Sequence, residues 1–430
     1  MQPQFLIAAP HSGAGKTTVT LAVLRALQRK GLRVQPFKCG PDYIDPKLHS
    51  IAAGRPSINL DRYMMSDDHV RNTYAQYSAQ ADVSVTEGVM GLFDGAVKME
   101  GSSAELARFL DIPVILVVNA KAMAYSAAAL LYGYKNFSPG LRIAGVIFNF
   151  VSTASHYRFL QEAAADVGLT ALGYLPENIS IKIPSRHLGL HISADHDYDQ
   201  IINDAADHLS QYIDLDKLME LTCVPRKVYT TENRPVGRLR IAVAQDEAFN
   251  FIYPQNIKAL SSLGEITYFS PLQDRELPAA DVLYLPGGYP ELHLPQLAAN
   301  TALRAAIKSF KGKILAECGG MMYLGAAIHD ESGQPYEMCD VLPMSTTMQQ
   351  KKLALGYRKV ELDNITLRGH EFHYSTFVNT PALTDTPIRV SNARGEVIVT
   401  PVFYDDRIFA SYLHFYFGDN LPALRKILSL

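Results

Sequence analysis

The run Ala9-Pro10-His11-Ser12-Gly13-Ala14-Gly15-Lys16-Thr17-Thr18 collects the residue types that bind polyphosphate. Gly13 and Gly15 let backbone N–H groups converge on an anion, Lys16 adds a mobile positive charge, and the Thr17 hydroxyl stands where a nucleotide-bound Mg²⁺ would sit. Ser12, Gly13, Ala14, Gly15, Lys16, Thr17 and Thr18 are the expected phosphate cradle, with Pro10 in place of the motif's usual first glycine. Two more loops bring carboxylates. In Lys38-Cys39-Gly40-Pro41-Asp42-Tyr43-Ile44-Asp45-Pro46, Lys38 could neutralise a moving phosphoryl group, and Asp42 and Asp45 could hold Mg²⁺ directly or through water, or simply make turn hydrogen bonds. In Glu87-Gly88-Val89-Met90-Gly91-Leu92-Phe93-Asp94-Gly95, Glu87 is the candidate to complete the metal coordination begun by Thr17. Asp94 either faces an acceptor or closes an Asp-Gly turn.

A second kind of chemistry occupies the C-terminal half. Cys318 lies between Lys313-Ile314-Leu315-Ala316-Glu317 and Gly319-Gly320, as a nucleophile on a sharp strand-to-helix elbow requires. Backbone N–H groups after it, and those near Gly287-Gly288, could hold an oxyanion, which makes Gly288 and Gly319 the candidates. Taken alone Cys318 also reads as a buried structural thiol. His414, after the strand-like Ile408–Leu413, supplies a base, and cysteine elbow, oxyanion turn and late histidine together favour acyl transfer. Gly369-His370-Glu371-Phe372-His373-Tyr374-Ser375 is a polar island that suits either substrate positioning or hydrogen bonding between domains.

These residues need strand tips to hold them. Apolar runs at Phe5–Ala8, Val34–Phe37, Ala81–Thr86, Val114–Val118, Ile143–Phe148 and Ala171–Leu175 alternate with helical patterns, which predicts a mostly parallel, helix-covered sheet whose C-terminal edge carries the ligands. Asn149, at one such tip, could read an adenine edge or cap its turn. Ser102-Ser103-Ala104-Glu105 reads as a helix cap. Ile183–His191 has polar groups enough to contact an acidic acceptor. Helical text through Leu218 gives way to a mixed, proline-containing stretch before a fresh strand at Leu239–Ala244, so the expected domains are 1–220 and 238–430, joined by a linker at 221–237.

Composition narrows the partners. The 430 residues carry 40 basic and 43 acidic side chains, a formal charge of −3, so no broad basic field invites nucleic acid. The first residues lack a basic leader and no apolar run is long enough to span a bilayer, so a cytoplasmic protein without a membrane partner is expected. Cys39, Cys223, Cys318 and Cys339 are too widely separated for a metal ribbon. Cys39 reads as a packing residue.

In order along the chain, A-P-H-S-G-A-G-K-T-T, P-F-K-C-G-P-D-Y-I-D-P, T-E-G-V-M-G-L-F-D-G, L-P-G-G-Y-P-E-L, A-E-C-G-G-M-M-Y-L-G and G-H-E-F-H-Y-S resemble the cobyrinic acid a,c-diamide synthase family, with its hydrogenobyrinic acid relatives, over essentially the full length. The resemblance implies an α/β protein: an N-terminal P-loop amidoligase domain similar to dethiobiotin synthetase and a C-terminal flavodoxin-like class I glutamine amidotransferase domain. It implies ATP, L-glutamine and a corrinoid or related tetrapyrrole as substrates, Mg²⁺ as cofactor, and admits a homodimer. By resemblance Cys318 is the glutaminase nucleophile and His414 its base; Lys16, Thr17, Asp45 and Glu87 serve nucleotide and Mg²⁺; Asp42 and Asp94, with Lys38, support the acceptor reaction. Many class I glutaminases carry glutamate two residues after the histidine, where this chain has Tyr416. The implied product is the amide at the c and then the a carboxylate, by way of acyl phosphates. Hydrogenobyrinate, nickel-sirohydrochlorin or the cobyric acid synthase reaction are the alternatives within this chemistry, and a P-loop partition ATPase leaves Cys318 and His414 without a role.

Overall fold

The computed structural model describes residues 1–183, 185–186, 189–190, 196–230, 237–379 and 388–430. Residues 184, 187, 188 and 191 of the Ile183–His191 segment and the stretch 231–236 of the expected linker lie outside them. The chain divides into two compact units, Met1–Thr231 and Glu232–Leu430. No helix among the described residues is long and apolar enough to cross a membrane.

In the first unit strand and helix alternate: β1 (Gln2–Ala8), α1 (Lys16–Arg29), β2 (Val34–Cys39), α2 (Asp45–Ala53), β3 (Ile58–Leu60), α3 (Asp67–Ser78) and β4 (Val83–Glu87). There follow α4 (Ser103–Leu110), β5 (Val114–Asn119), α5 (Ala127–Phe137), β6 (Ile143–Asn149), α6 (Ala154–Asp166) and β7 (Thr170–Leu175). These strands form one parallel sheet in the order β3-β2-β4-β1-β5-β6-β7. They are apolar on both faces because helices cover both. Phe5, Ile7, Val83 and Val85 pack with Leu21 and Leu24 of α1, all essentially fully buried. Register then aligns the chemistry: Glu87 lies beside Ile7 on one side and Lys38 on the other, all at the C-terminal edge.

After a two-stranded pair, β8 (Ser185–Arg186) and β9 (Gly189–Leu190), come α7 (Tyr198–Ser210), α8 (Leu215–Leu221) and β10 (Cys223–Val224). β10 returns antiparallel to β1, with Val224 opposite Gln2, so this unit takes in residues beyond the expected limit of 220.

The second unit begins with β11 (Leu239–Ala244), α9 (Pro254–Ser261), β12 (Gly264–Phe269), β13 (Val282–Leu285), α10 (Leu294–Ala299), α11 (Thr301–Ser309), β14 (Lys313–Glu317) and α12 (Gly319–Leu324). A small sheet follows, made of β15 (Ala327–His329), β16 (Pro335–Glu337), β17 (Ser345–Thr347) and, after β18 (Ala354–Leu362) and β19 (Ile365–His373), β20 (Thr376–Phe377). The last elements are β21 (Ile388–Asn392), β22 (Val402–Tyr404), β23 (Ile408–Ser411), β24 (Leu413–Phe415) and α13 (Leu421–Ile427). The main sheet, β12-β11-β13-β14-β23-β22, is parallel except at β22, and an antiparallel sheet runs β21-β18-β19-β24. The single approach expected before His414 is thus two strands: β23 extends the parallel sheet and β24 crosses to the antiparallel one, where His414 pairs with His370.

Candidate active sites

Gly13 and Gly15 hold the left-handed conformation, φ 83° and 87°, that the phosphate loop needs. α1 starts at Lys16 with no acidic residue in its first turn, leaving its positive end to an anion. Asn149 supports the loop from the tip of β6. Its Nδ2 donates to Ala14 O at 3.0 Å and its Oδ1 accepts the Phe150 N–H at 3.0 Å, as a turn-capping residue would. It also lines, with Ser12, Gly15, Thr18, Phe150 and Pro176, a cavity of about 740 Å³, within the range of small-molecule sites.

Glu87, fully buried, is the hub beside that loop. It accepts from Lys16 Nζ at 2.6 Å and Thr17 Oγ1 at 2.7 Å, and it meets Lys38 Nζ at 3.2 Å and His49 Nε2 at 2.5 Å. Lys38 also donates to Asp45 Oδ2 at 2.5 Å and lies 3.9 Å from Asp42. Burial pushes the Glu87 carboxyl up, but Lys16, Lys38 and His49 together outweigh it and hold the group well below the usual carboxylate range. Asp45 goes the other way: burial, then the charges of Asp42 and Glu87, lift it to about 8 against the pull of Lys38. Burial lowers His49, against the upward pull of the Glu87 hydrogen bond and charge. His49 was not singled out in the sequence; its one signal there was the four-residue spacing from Asp45, which places both on one face of α2.

Asp42 and Asp94 both make turn bonds. Asp42 Oδ1 accepts the Ile44 N–H at 2.7 Å, and Asp94 Oδ2 accepts the Gly91 N–H at 3.0 Å. Asp42 remains near Lys38, whereas Asp94 is solvent-exposed. Cys39 is buried, its thiol pushed up to about 12 by burial, as a packing residue would be.

In the second unit Cys318 sits at φ 46°, ψ −109°, a strained conformation for any residue with a side chain, at the junction of β14 and α12. The elbow is fixed by the Cys318 N–H donating to Ser411 O at 2.7 Å. Two glycines must follow it: a Cβ on Gly319 would lie 2.7 Å from Pro290 Cδ and 3.2 Å from Gly288 N, and one on Gly320 would collide with Leu285 O. The two expected oxyanion residues, Gly288 and Gly319, are therefore neighbours. His414 lies against Gly287 and stacks on His370, centroids 4.9 Å apart and planes at 16°. Burial, then Glu291, pushes the Cys318 thiol up, while burial, then His370 and His373, depresses the His414 imidazole well below its ordinary value. The polar island Gly369–Ser375 lines this site within its own unit: the Phe372 carbonyl faces Cys318 Sγ at 4.0 Å, and Glu371 pairs with Arg358 and His373 at 2.7 and 2.8 Å.

Residues 5–190 match the CobQ/CobB/MinD/ParA nucleotide binding domain, and residues 240–421 the CobB/CobQ-like glutamine amidotransferase domain. The chain is 41% identical, over 98% of its length and 97% of the relative's, to a cobyrinate a,c-diamide synthase of Syntrophotalea carbinolica. It is 42% identical, over 98% and 97%, to the enzyme of that name from Streptococcus sanguinis. Against a hydrogenobyrinate a,c-diamide synthase of Pseudomonas aeruginosa it is 41% identical, over 99% and 97%. A phosphate loop backed by a lysine-bound glutamate, a cysteine elbow and a buried histidine in the second unit, and similarity along nearly the whole chain have one explanation: the chain belongs to the family of the cobyrinate and hydrogenobyrinate a,c-diamide synthases.

Proposed function

We propose that the chain catalyses ATP- and glutamine-dependent amidation of the c and then the a carboxylates of cobyrinic acid, in cobalamin biosynthesis. The observation that carries this reading is the pairing in one chain of the Lys16–Glu87–Lys38 centre with the Cys318 elbow. A carboxylate resists ammonia until one oxygen becomes a phosphate leaving group. In the first unit the acceptor oxygen attacks the γ-phosphorus, ADP leaves, and Lys16 and Lys38 offset the charge spread over the transferring group. Asp42 acts on the acceptor side through Lys38, and Asp94 borders the same edge. The donors here fit Mg²⁺: Thr17, Glu87 and Asp45 offer hard oxygens and no sulfur. Thr17, Glu87 and Asp45 would hold it, and it would supply charge neutralisation at the phosphates.

In the second unit His414 takes the Cys318 proton as the sulfur attacks the glutamine carboxamide, and the Gly288 and Gly319 N–H groups receive the oxyanion. The proton returns to the departing ammonia, and water then cleaves the thioester. Ammonia attacks the acyl phosphate and releases phosphate. The balanced surface charge supports small-molecule substrates, with no nucleic acid or membrane, in the cytoplasm; a homodimer is an assembly that light scattering tests.

The test is to supply purified protein with ATP, Mg²⁺ and glutamine and, in parallel, cobyrinate, hydrogenobyrinate or nickel-sirohydrochlorin. Two successive amides on cobyrinate are expected. Turnover confined to either other acceptor would move the assignment to that branch, and no amide from any of them would overturn it.

A further inference from the structure

His414 must be held in one place to serve Cys318, and two residues beyond it Tyr416 offers no carboxylate to an imidazole. The peptide immediately after His414 is held by two buried side chains. Phe415 N–H donates to Glu317 Oε1 at 2.9 Å, and Asn256 Nδ2 donates to Phe415 O at 2.8 Å. Asn256 Oδ1 also accepts the Phe417 N–H at 2.7 Å, and the second Glu317 oxygen accepts the Tyr284 hydroxyl at 2.7 Å. Glu317 and Asn256 are 0% and 1% exposed. Side chains from β14 and α9 thus converge on one residue of β24, and Tyr284 of β13 braces the first of them.

A wholly buried carboxylate satisfied by neutral donors is costly to keep. Burial lifts Glu317 to about 7, against the Phe415 N–H and the Tyr284 hydroxyl. Its position in sequence gives that cost a purpose. Glu317 immediately precedes the nucleophile, so its backbone leads into the Cys318 elbow while its side chain grips the strand of the base. The imidazole itself lies between His370 on one face, Gly287 and the Phe251 ring, and the backbone that carries it sets how far it reaches among them.

We infer that Glu317 and Asn256 are positioning residues for glutamine hydrolysis, setting His414 against Cys318 through the Phe415 peptide. The inference rests on the glutaminase reading of Cys318 and His414. It makes reach, not charge, the property that matters at position 317. In Glu317→Gln the amide oxygen still accepts from Phe415 and the amide nitrogen donates to Tyr284. Glu317→Asp keeps the charge but is one methylene too short to span both partners. Asn256→Asp turns a donor to Phe415 O into a second acceptor.

The experiment measures glutamine hydrolysis, kcat and KM separately, and ammonia-driven amidation in the full chain. Glu317→Gln is expected to keep kcat within about 3-fold, while Glu317→Asp and Asn256→Asp lower it about 30-fold or more with little change in KM, because a base displaced by a fraction of an ångström fails without loss of substrate contacts. Ammonia-driven amidation stays at the wild-type rate throughout. Should the aspartate variants not fold, Tyr284→Phe decides the matter: it leaves the Phe415 bond in place and should retain kcat within about 3-fold, and a larger loss overturns the inference. So does Glu317→Gln falling as far as Glu317→Asp, wild-type kcat in both aspartate variants, or a change in KM alone. Glutamine hydrolysis that survives Cys318→Ser would instead overturn the underlying glutaminase reading, a result no Glu317 variant can mimic.

Discussion

Replacing Gly287 with alanine should disable glutamine use while sparing the synthetase reaction. Gly287 is outside the left-handed region, so alanine brings no backbone strain there. The added methyl group would lie 3.0 Å from His414 Nδ1 and 3.3 Å from Nε2, and closer still to Cε1. The main chain at 287 cannot retreat, because its carbonyl accepts from both Asn250 N–H and Phe251 N–H at 3.0 Å. The imidazole must therefore withdraw by about 1 Å to reach ordinary contact distance. A displacement of that size costs on the order of 100-fold in rate, or ~2.7 kcal/mol of transition-state stabilisation. The assay compares amidation driven by glutamine with amidation driven by a high concentration of ammonium at matched ATP. Glutamine-driven turnover should fall by about two orders of magnitude and ammonia-driven turnover should not change. Glutamine-driven turnover within a few-fold of wild type would refute the placement of the ring against Gly287, and equal loss with both donors would refute the separation of the two reactions.

Cys318→Ser should abolish glutamine-driven amidation and leave ammonia-driven amidation intact; loss of both in a folded variant would contradict that division. Glu87→Gln and Lys16→Ala should impair amidation with either donor, and Glu87→Gln should also lower the melting temperature of the first unit by roughly 5–10 °C, since Lys38 keeps Asp45 but loses a second buried partner. Because the Glu87 carboxyl is held below its unfolded value, its stabilisation is complete above about pH 4.5 and disappears as pH falls through the depressed value; acid unfolding monitored in wild type and Glu87→Gln should converge at low pH. The depressed His414 keeps the base neutral in mild acid, so the acid limb of glutamine kcat/KM should fall below the ordinary histidine value of about 6.5, and a limb at or above that value would argue against burial as the cause. For Asp42→Asn, ATP binding should persist while one or both amidations slow, whereas Asp94→Asn, which preserves the Gly91 turn bond at an exposed position, should be nearly silent.

The phosphate loop and the cysteine elbow were legible because their chemistry is local: a few consecutive residues set strand, turn and helix and carry the reactive groups. The Ser102 cap was legible for the same reason, its hydroxyl accepting the Glu105 N–H. The partners of these groups were not. Lys38 meets Glu87 only through the register of β2 against β4, and strands buried on both faces read as uninterrupted apolar runs that carry no register signal. His370 reaches His414 only because β24 leaves one sheet for another after Ser411, and nothing in Ile408–Phe415 marks that crossing. Asn149 was ambiguous because an amide at a strand tip suits a base edge and a turn cap equally, and its bonds to the Phe150 N–H and Ala14 O leave it lining the cavity beside the loop.

The return of β10 to β1 has a consequence for how this chain can be cut and rejoined. Because Val224 lies opposite Gln2 and Cys223 opposite Pro3, the first unit's first strand and its last are neighbours. A fragment ended at 220 would remove Thr222 O from the Gln4 N–H and leave the flank of β1 bare, whereas one ended at 230 would keep that seam closed. Adjacent ends also permit the order of segments to be permuted, with a short bridge from the seam back to Met1 and new ends opened in a surface turn. The synthetase half is thus a loop of structure closed on itself, with β10 as the clasp on β1.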